Sequence, residues 1–410
     1  YLPDAYEYMV KLVEWSKKRR LRGGAAIKVR LVKGANLAME LVETSMRHWD
    51  LVTFSSKIEV DANYKKILDY VCTKENAEAV NIGIASHNLF DLAYSLILRA
   101  ERGVEAETQF EMLEGMAEHI RQVIKDLSGE LVLYCPAAEA HEFQHAIAYL
   151  IRRLDENTAP DNFLRHAFDL EPNTAKFVKL QKFFLRSCEL VAEIDVTPRR
   201  QQNRLQMPTE PTSPEFDNEA DTDFAIENNR QWVDGIYKKA KEFKAEQIPL
   251  VINGRQFTTD KTQDSIDPST AQKSYTYSLA EEKEIEEVLS TAEAAHKEWC
   301  KTSLTERTSL LRKIAQGIRE KRAELIATMI VDAGKTAIEA DVEISEAIDF
   351  CTYYASSLEE WSAVETLELS GKGPVLVTPP WNFPCAIPLG GVVAALAAGN
   401  SVIFKPAPEV

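Results

Sequence analysis

The chain has 410 residues, 45% hydrophobic and 27% charged, which suits two or three soluble globular domains and excludes a disordered or fibrous chain. Its 64 acidic and 48 basic side chains give a formal charge of −16, so a broad positive field is absent and no nucleic-acid partner is expected. No apolar run reaches the roughly 18 residues of a membrane helix, and the start, YLPDAYEYMV, has neither a basic n-region nor a cleavage pattern.

In chain order, four short apolar strands come first: AAIKVRLVK (25–33), AVNIGIASHN (79–88), GVEAETQFEML (103–113) and ELVLYCPA (130–137). Amphipathic segments such as NLFDLAYSLILRAER (88–102) separate them, and this β/α alternation predicts a parallel sheet or barrel. Lys33, His87 with Asn88, and Tyr134 stand at the C-terminal ends of the strands, where (β/α) barrels hold their chemistry. Four strands predict half of an eight-stranded barrel.

From Thr197 to Arg230, Pro, Gln, Asn, Asp and Glu displace aliphatic residues and periodicity vanishes, which predicts a connector between two folding units. Beyond it, IPLVINGRQF predicts a hairpin turning at Asn253 and Gly254. Long helices are predicted over Glu281 to Trp299, Leu304 to Asp332 and Glu339 to Trp361. GPVLVTPPWNFP, LGGVVAALAAGN and SVIFKP then predict a βαβ unit, the opening of a dinucleotide-binding domain.

Several residue groups carry possible chemistry. In YLIRRLDEN, Tyr149, Arg152, Arg153 and Glu156 share one helix face, and two adjacent guanidinium groups suit a small carboxylate; an ordinary surface helix, apolar at Ile147, Leu150, Ile151 and Leu154, explains the pattern too. Arg30 and Lys33 in VRLVKGAN suit an anionic or electron-rich cofactor or are plain strand-end charges, and His87 is a catalyst or a structural residue. In TPPWNFP the Asn382 amide can donate to a developing oxyanion, while Lys405 can reach ribose hydroxyls. Cys385 has no activating His or Glu pattern and reads as packing. The six cysteines are scattered, with no CxxC pair or ligand-spaced His, which predicts reduced thiols in a cytoplasm-like compartment and no metal.

In order, VRLVKGAN, ASHN, QFEMLEGM, LYCPA and AYLIRRLDEN resemble the C-terminal half of a proline dehydrogenase barrel. IPLVINGRQF through TPPWNFPCAIPLGGVVAALAAGNSVIFKPAPE resembles the first part of an aldehyde dehydrogenase of the glutamate semialdehyde branch. Joined, they resemble the bifunctional proline utilization family. The resemblance implies an α/β chain: a partial (β/α)8 flavin barrel over 1–190, a connector over 191–235, and the N-terminal part of a Rossmann-type aldehyde dehydrogenase domain over 236–410.

It further implies FAD-dependent oxidation of L-proline to pyrroline-5-carboxylate, then NAD-dependent oxidation of glutamate semialdehyde to glutamate. Arg152 and Arg153 would bind the proline carboxylate, with Tyr134, Tyr149 and Leu113 walling the ring. Arg30, Val32, Lys33, Ala35, Lys57, His87 and Glu156 would contact FAD, and the polar face of the arginine helix would point into the barrel mouth with its apolar face covered. Asn382 matches the oxyanion-hole asparagine, and Trp381, Lys405 and Glu409 fall in the NAD motif. A membrane quinone as electron acceptor, a homo-oligomer, and a cytoplasmic location with peripheral attachment to a bacterial inner membrane belong to the same expectation. Because that family's nucleophilic Cys and general-base Glu lie beyond KPAPE, the expectation is an internal piece of a longer protein, itself without aldehyde dehydrogenase activity. Two departures stand out: Asn36 and Leu37 replace aromatic residues common after VKGA, and Pro136, Ala137 and Ala138 replace a Gly-bearing turn. The alternative expectation is an aldehyde dehydrogenase fused to a flavin-free barrel that acts as an interaction or regulatory module.

Overall fold

The computed structural model describes residues 1–34, 36–160, 162–167, 169–209, 215–243 and 247–410. They form two compact units: Tyr1–Met46 with Asp50–Arg200, and Arg47–Trp49 with Gln201–Val410. The division falls inside the segment read as a connector.

In the first unit, α1 (Ala5–Leu21) leads into β1 (Ile27–Leu31), then α2 (Leu37–Arg47), α3 (Lys57–Val71), α4 (Lys74–Ala77) and β2 (Val80–Ala85). Next come α5 (Leu89–Arg102), β3 (Thr108–Leu113), α6 (Glu118–Ser128), β4 (Leu131–Tyr134), α7 (Phe143–Thr158), α8 (Phe163–Ala167) and α9 (Ala175–Glu189). The strands pair in parallel in the order β1-β2-β3-β4. Parallel neighbours need crossovers, and the intervening helices provide them. Val80, Ile82 and Ile84 of β2 and Phe110 and Met112 of β3 are buried against Leu68 and Val71 of α3, Leu92 of α5, and Ile120 and Ile124 of α6. These alternate positions bury one face of the sheet against the helices, each fully buried Leu, Ile or Phe contributing roughly 1.5–3 kcal/mol.

Helix starts fix where the strand-end side chains lie. At α3, the Ser56 hydroxyl accepts the Glu59 amide while the Glu59 carboxylate accepts the Ser56 amide, which places Lys57 in the first turn. At α5, the Asn88 side chain accepts the Phe90 amide at 3.0 Å, directly after His87.

The second unit contains α10 (Glu227–Lys241), the hairpins β5 (Leu250–Ile252) with β6 (Arg255–Phe257) and β7 (Thr262–Ile266) with β8 (Lys273–Ser278), then α11 (Glu282–Trp299), α12 (Leu304–Glu320), α13 (Arg322–Asp332) and α14 (Ala337–Ser362). β9 (Val375–Val377), α15 (Ala386–Ala397) and β10 (Val402–Phe404) follow, with β10 parallel to β9. The β5–β6 turn sits at Asn253 and Gly254, with φ of 52° and 73°, the left-handed pair that Asn-Gly supplies with least strain.

Two elements differ from expectation. The stretch read as one helix from Leu304 to Asp332 is broken at Lys321; Arg322, the first residue of α13, turns into the core and donates from Nε to Asp341 Oδ1 at 2.7 Å. The aperiodic segment before Arg230 ends in ordered structure, since α10 begins at Glu227. Several of its polar residues find buried partners: Thr222 donates its amide and hydroxyl to Asp341 at 2.7 and 2.6 Å, Arg204 donates to Thr222 at 3.0 Å, and Glu219 pairs with Arg319 at 2.8 Å. A polar composition therefore does not mean a solvated chain when buried charges await it.

Candidate active site

A cavity of about 300 Å³ opens at the C-terminal ends of β1–β4. Arg30, Val32 and Lys33 line it from β1 and its exit, His87 from the β2 exit, Leu113 and Tyr134 from the ends of β3 and β4, and Lys57 from the start of α3. Tyr149, Arg153 and Glu156 line it from α7. Ten residues singled out in the sequence thus converge on one space. Arg152 does not line it, and Ala35 lies outside the described residues.

The charges of the cavity are set by two carboxylates invisible to the strand-end pattern. Lys33 Nζ lies 2.8 Å from Asp61 Oδ1 and in closer contact with Asp91 Oδ2. Lys57 shares the same Asp61 oxygen. Burial, the largest influence on Lys33, opposes its charge, but Asp91 and Asp61 outweigh it and hold its pKa above the usual lysine range. Burial, aided by the neighbouring Lys33 ammonium, pulls Lys57 down to about 8 despite its contact with Asp61. Lys33 is therefore the permanent cation and Lys57 the one that titrates. His87 Nε2 accepts the Leu113 amide at 3.1 Å, which requires that nitrogen to carry no proton, and burial pushes its pKa down.

On the opposite wall, the Arg153 guanidinium lies 5.1 Å from the Tyr149 ring centroid and donates to Glu156 at 2.8 Å. Its side chain is 11% exposed, and its buried Nε has no hydrogen-bond partner among the described residues. Burial, opposed by Arg153 and Arg152, raises the Glu156 carboxyl. Tyr149 meets Tyr134 at 6.1 Å between centroids, and the Arg30 guanidinium sits 4.5 Å from the Tyr134 ring. Arg152 instead donates to Asn36 Oδ1 at 2.6 Å. The departure at Asn36 thus holds one member of the arginine pair away from the cavity. The apolar face of α7 is exposed at Ile147, Leu150, Ile151 and Leu154, so the described residues do not supply the expected cover.

Sequence reasoning missed Asp61, Asp91 and Glu111. Glu111, on β3, is 4% exposed; its Oε1 lies 3.0 Å from Lys28 Nζ and its Oε2 contacts Arg30 Nε. A Cβ at the facing Gly83 would stand 2.1 Å from Glu111 Oε1. A lone carboxylate inside QFEML, with a glycine inside the neighbouring VNIGIA, was the available signal.

In the second unit, Trp381, Asn382, Lys405 and Glu409 are all exposed around the β9–α15 turn and the β10 exit. Among the described residues the Asn382 amide and the Lys405 ammonium have no side-chain partner. The start of α15 is closed from within: Glu343 Oε1 accepts the Cys385 and Ala386 amides at 2.6 and 3.1 Å, and Lys335 contacts its other oxygen. A helix N-terminus already holding a carboxylate is no phosphate cradle. Burial, with Glu343 nearby, pushes the Cys385 thiol up to about 12, as an inert packing residue requires. Among the described residues there is no group of three His, Cys, Asp or Glu placed to hold a metal, and no helix is long and apolar enough to cross a membrane.

Residues 1–166 match the proline dehydrogenase family, and residues 256–410 match the aldehyde dehydrogenase family. Along 99% of its length the chain is 27% identical to bifunctional protein PutA of Escherichia coli K12. The structure of proline utilization A from Bdellovibrio bacteriovorus, inactivated by N-propargylglycine, matches over 100% of this chain with a TM-score of 0.82 at 32% identity. The chain is PutA-like. It joins a proline dehydrogenase barrel-type unit to the N-terminal part of an aldehyde dehydrogenase domain. Residues of the second unit are also similar to 1-pyrroline-5-carboxylate dehydrogenase of Staphylococcus epidermidis, 36% identical over 205 residues that cover 47% of this chain and 40% of that protein. The PutA-like chain spans 30% of the E. coli protein and 41% of the Bdellovibrio one.

Proposed function

We propose that the chain contributes to a parent enzyme that oxidises L-proline to pyrroline-5-carboxylate with FAD and then glutamate semialdehyde to glutamate with NAD. The observation that carries this reading is Arg153, a buried guanidinium in the cavity wall whose Nε has no hydrogen-bond partner among the described residues and whose neighbours are Tyr149 and Glu156. A guanidinium so placed suits a small carboxylate, because a buried N–H donor gains most from a charged acceptor.

The residues present fit a flavin in charge and shape. Arg30, Lys33 and Lys57 supply positive charge at the strand ends, and Phe163, Phe183 and Phe184 supply flat apolar wall. The flavin, when bound, supplies the two-electron acceptor. The chain's own part is to orient and exclude: Arg153 fixes the substrate carboxylate, Tyr134, Tyr149 and Leu113 wall the ring, and His87 and Glu156 border the cofactor. Arg152 joins the clamp only by leaving Asn36. For NAD, Lys405 suits ribose hydroxyls, Asn382 an oxyanion, and Trp381 and Glu409 the rim; Glu343 directs the phosphates away from α15. The same reading takes a membrane quinone as final electron acceptor, a homo-oligomeric parent, and a cytoplasmic protein that visits the inner membrane.

The test is the visible spectrum of the parent protein, purified and kept without oxygen, before and after proline. Bleaching of a flavin band is expected. Bound flavin that stays oxidised would refute proline as substrate, and a parent without flavin would favour the non-catalytic barrel.

A further inference from the structure

One contact chain crosses the cavity and is capped by a carboxylate at each end. Glu111 holds Arg30; Arg30 lies on Tyr134; Tyr134 packs on Tyr149; Tyr149 carries Arg153; Arg153 ends on Glu156. Its first member is unusual, since an ionised carboxylate on a buried strand position loses hydration that only close cations restore. Lys28 and Arg30 supply them, and Gly83 leaves the space that a Cβ would take. Nothing in the packing of β3 demands a charge there, because Phe110 and Met112 already anchor the strand.

We propose that Glu111 is a positioning residue for substrate: by fixing Arg30 against Tyr134 it sets, through the tilted contact of Tyr134 with Tyr149, where Arg153 receives the carboxylate. The Arg30 side chain is 41% exposed, so without its ion pair it is free to leave the ring. Tyr134, 40% exposed, would then lose the cation on its face and Tyr149 its fixed neighbour. Each cation–aromatic contact is worth only about 0.5–2 kcal/mol, so the device tunes affinity rather than creating it. The inference rests on the proline reading above and adds a residue that neither strand-end position nor the arginine helix implies.

The experiment uses the flavin-loaded parent and three variants, Glu111→Gln, Gly83→Ala and Tyr134→Leu. Glu111→Gln keeps shape and removes charge, while Gly83→Ala keeps the charge and displaces it. Flavin content is measured first, then KM and kcat for proline, then the spectrally followed Kd of a saturated five-membered ring carboxylate that cannot be oxidised. Because Lys33 and Lys57 still supply positive charge to the flavin when Arg30 is freed, both single variants at Glu111 and Gly83 are expected to keep flavin, hold kcat within about twofold, and raise KM and the analogue Kd about tenfold, a decade being about 1.4 kcal/mol. In the Tyr134→Leu background, Glu111→Gln is expected to add less than about a threefold change, because the link it acts through is gone. Unchanged KM and analogue Kd in both variants overturn the proposal, and so does loss of flavin from both, which would make Glu111 a scaffold residue. If wild-type enzyme holds flavin but ignores proline, the underlying reading fails before any variant is compared, and the proposal falls with it.

Discussion

Both units bury charge, and they use it differently. In the first, Lys33, Lys57, Asp61, Glu111 and Arg30 line a cavity, Asp91 pairs with Lys33 beside it, and Arg153 on the facing wall has a buried donor unengaged among the described residues. In the second, Arg322, Asp341, Glu219, Arg204 and Arg319 close on one another and on the backbone of the chain entering the unit. The residues with candidate chemistry there, Trp381, Asn382, Lys405 and Glu409, sit outside that network at the surface. Buried ionisable residues therefore mark a site only where they border space; where they are fully saturated they mark a joint.

The sharpest way to break the comparison is at the joint. Arg322→Met leaves Asp341 buried without its guanidinium, and losing one partner of a buried pair costs about 3–5 kcal/mol. The unfolding transition of the second unit, followed by Trp232, Trp299 and Trp361 fluorescence, should move to correspondingly lower denaturant. An unshifted midpoint would show that the network is not what ties Gln201–Thr222 down.

Next in size is Arg153→Met in the flavin-loaded parent. Removing one side of a desolvated charge pair with substrate should cost about 2–5 kcal/mol in kcat/KM, roughly 30- to several-thousand-fold, with the melting temperature little changed. A tenfold effect or less would place the carboxylate elsewhere.

The pH prediction follows from Lys57. Its pKa is lowered to about 8 by burial first and Lys33 second, so its charge is present below pH 8 and lost as pH rises through that value. FAD affinity of the parent apoprotein should weaken between pH 7 and pH 9, while a Lys57→Met protein should be weaker throughout and flat over that window. The sign for stability is opposite: an unfolded lysine binds its proton up to about 10.4, so between about 8 and 10.4 this group makes the native state gain stability with rising pH. Fluorescence titration and denaturant midpoints at the two pH values check both.

The smallest effect is expected at Arg152. Because it is engaged by Asn36 at 2.6 Å, Arg152→Met should cost less than Arg153→Met by about tenfold or more in kcat/KM, about 1.4 kcal/mol. Equal losses would show that Arg152 leaves Asn36 when substrate arrives.

What the sequence made legible follows from what pattern can encode. The four strands, the Asn253-Gly254 hairpin and the βαβ unit are written in local periodicity and turn chemistry, and Lys33, His87 and Tyr134 stood out because they end apolar runs. Asp61 and Asp91 did not, since each lies inside a helix where a carboxylate looks like ordinary surface; only the fold shows that both are buried against Lys33. Glu343 was hidden for the same reason, in the middle of α14 yet holding the start of α15. The break at Lys321 was illegible because α12 and α13 share good helix formers, and the turn answers to a partner on α14. The different placements of Arg152 and Arg153 involve Asn36, more than a hundred residues earlier in the chain.

The thiols have a practical use. Cys72 and Cys351 are buried and Cys188 and Cys385 are half-buried, while Cys135, next to Tyr134, and Cys300, after α11, are exposed. The chain therefore offers one readily accessible attachment point on each unit without any engineering. A dye pair or two spin labels placed there turns the question of whether proline in one unit is felt by the other into a distance, read before and after substrate is added.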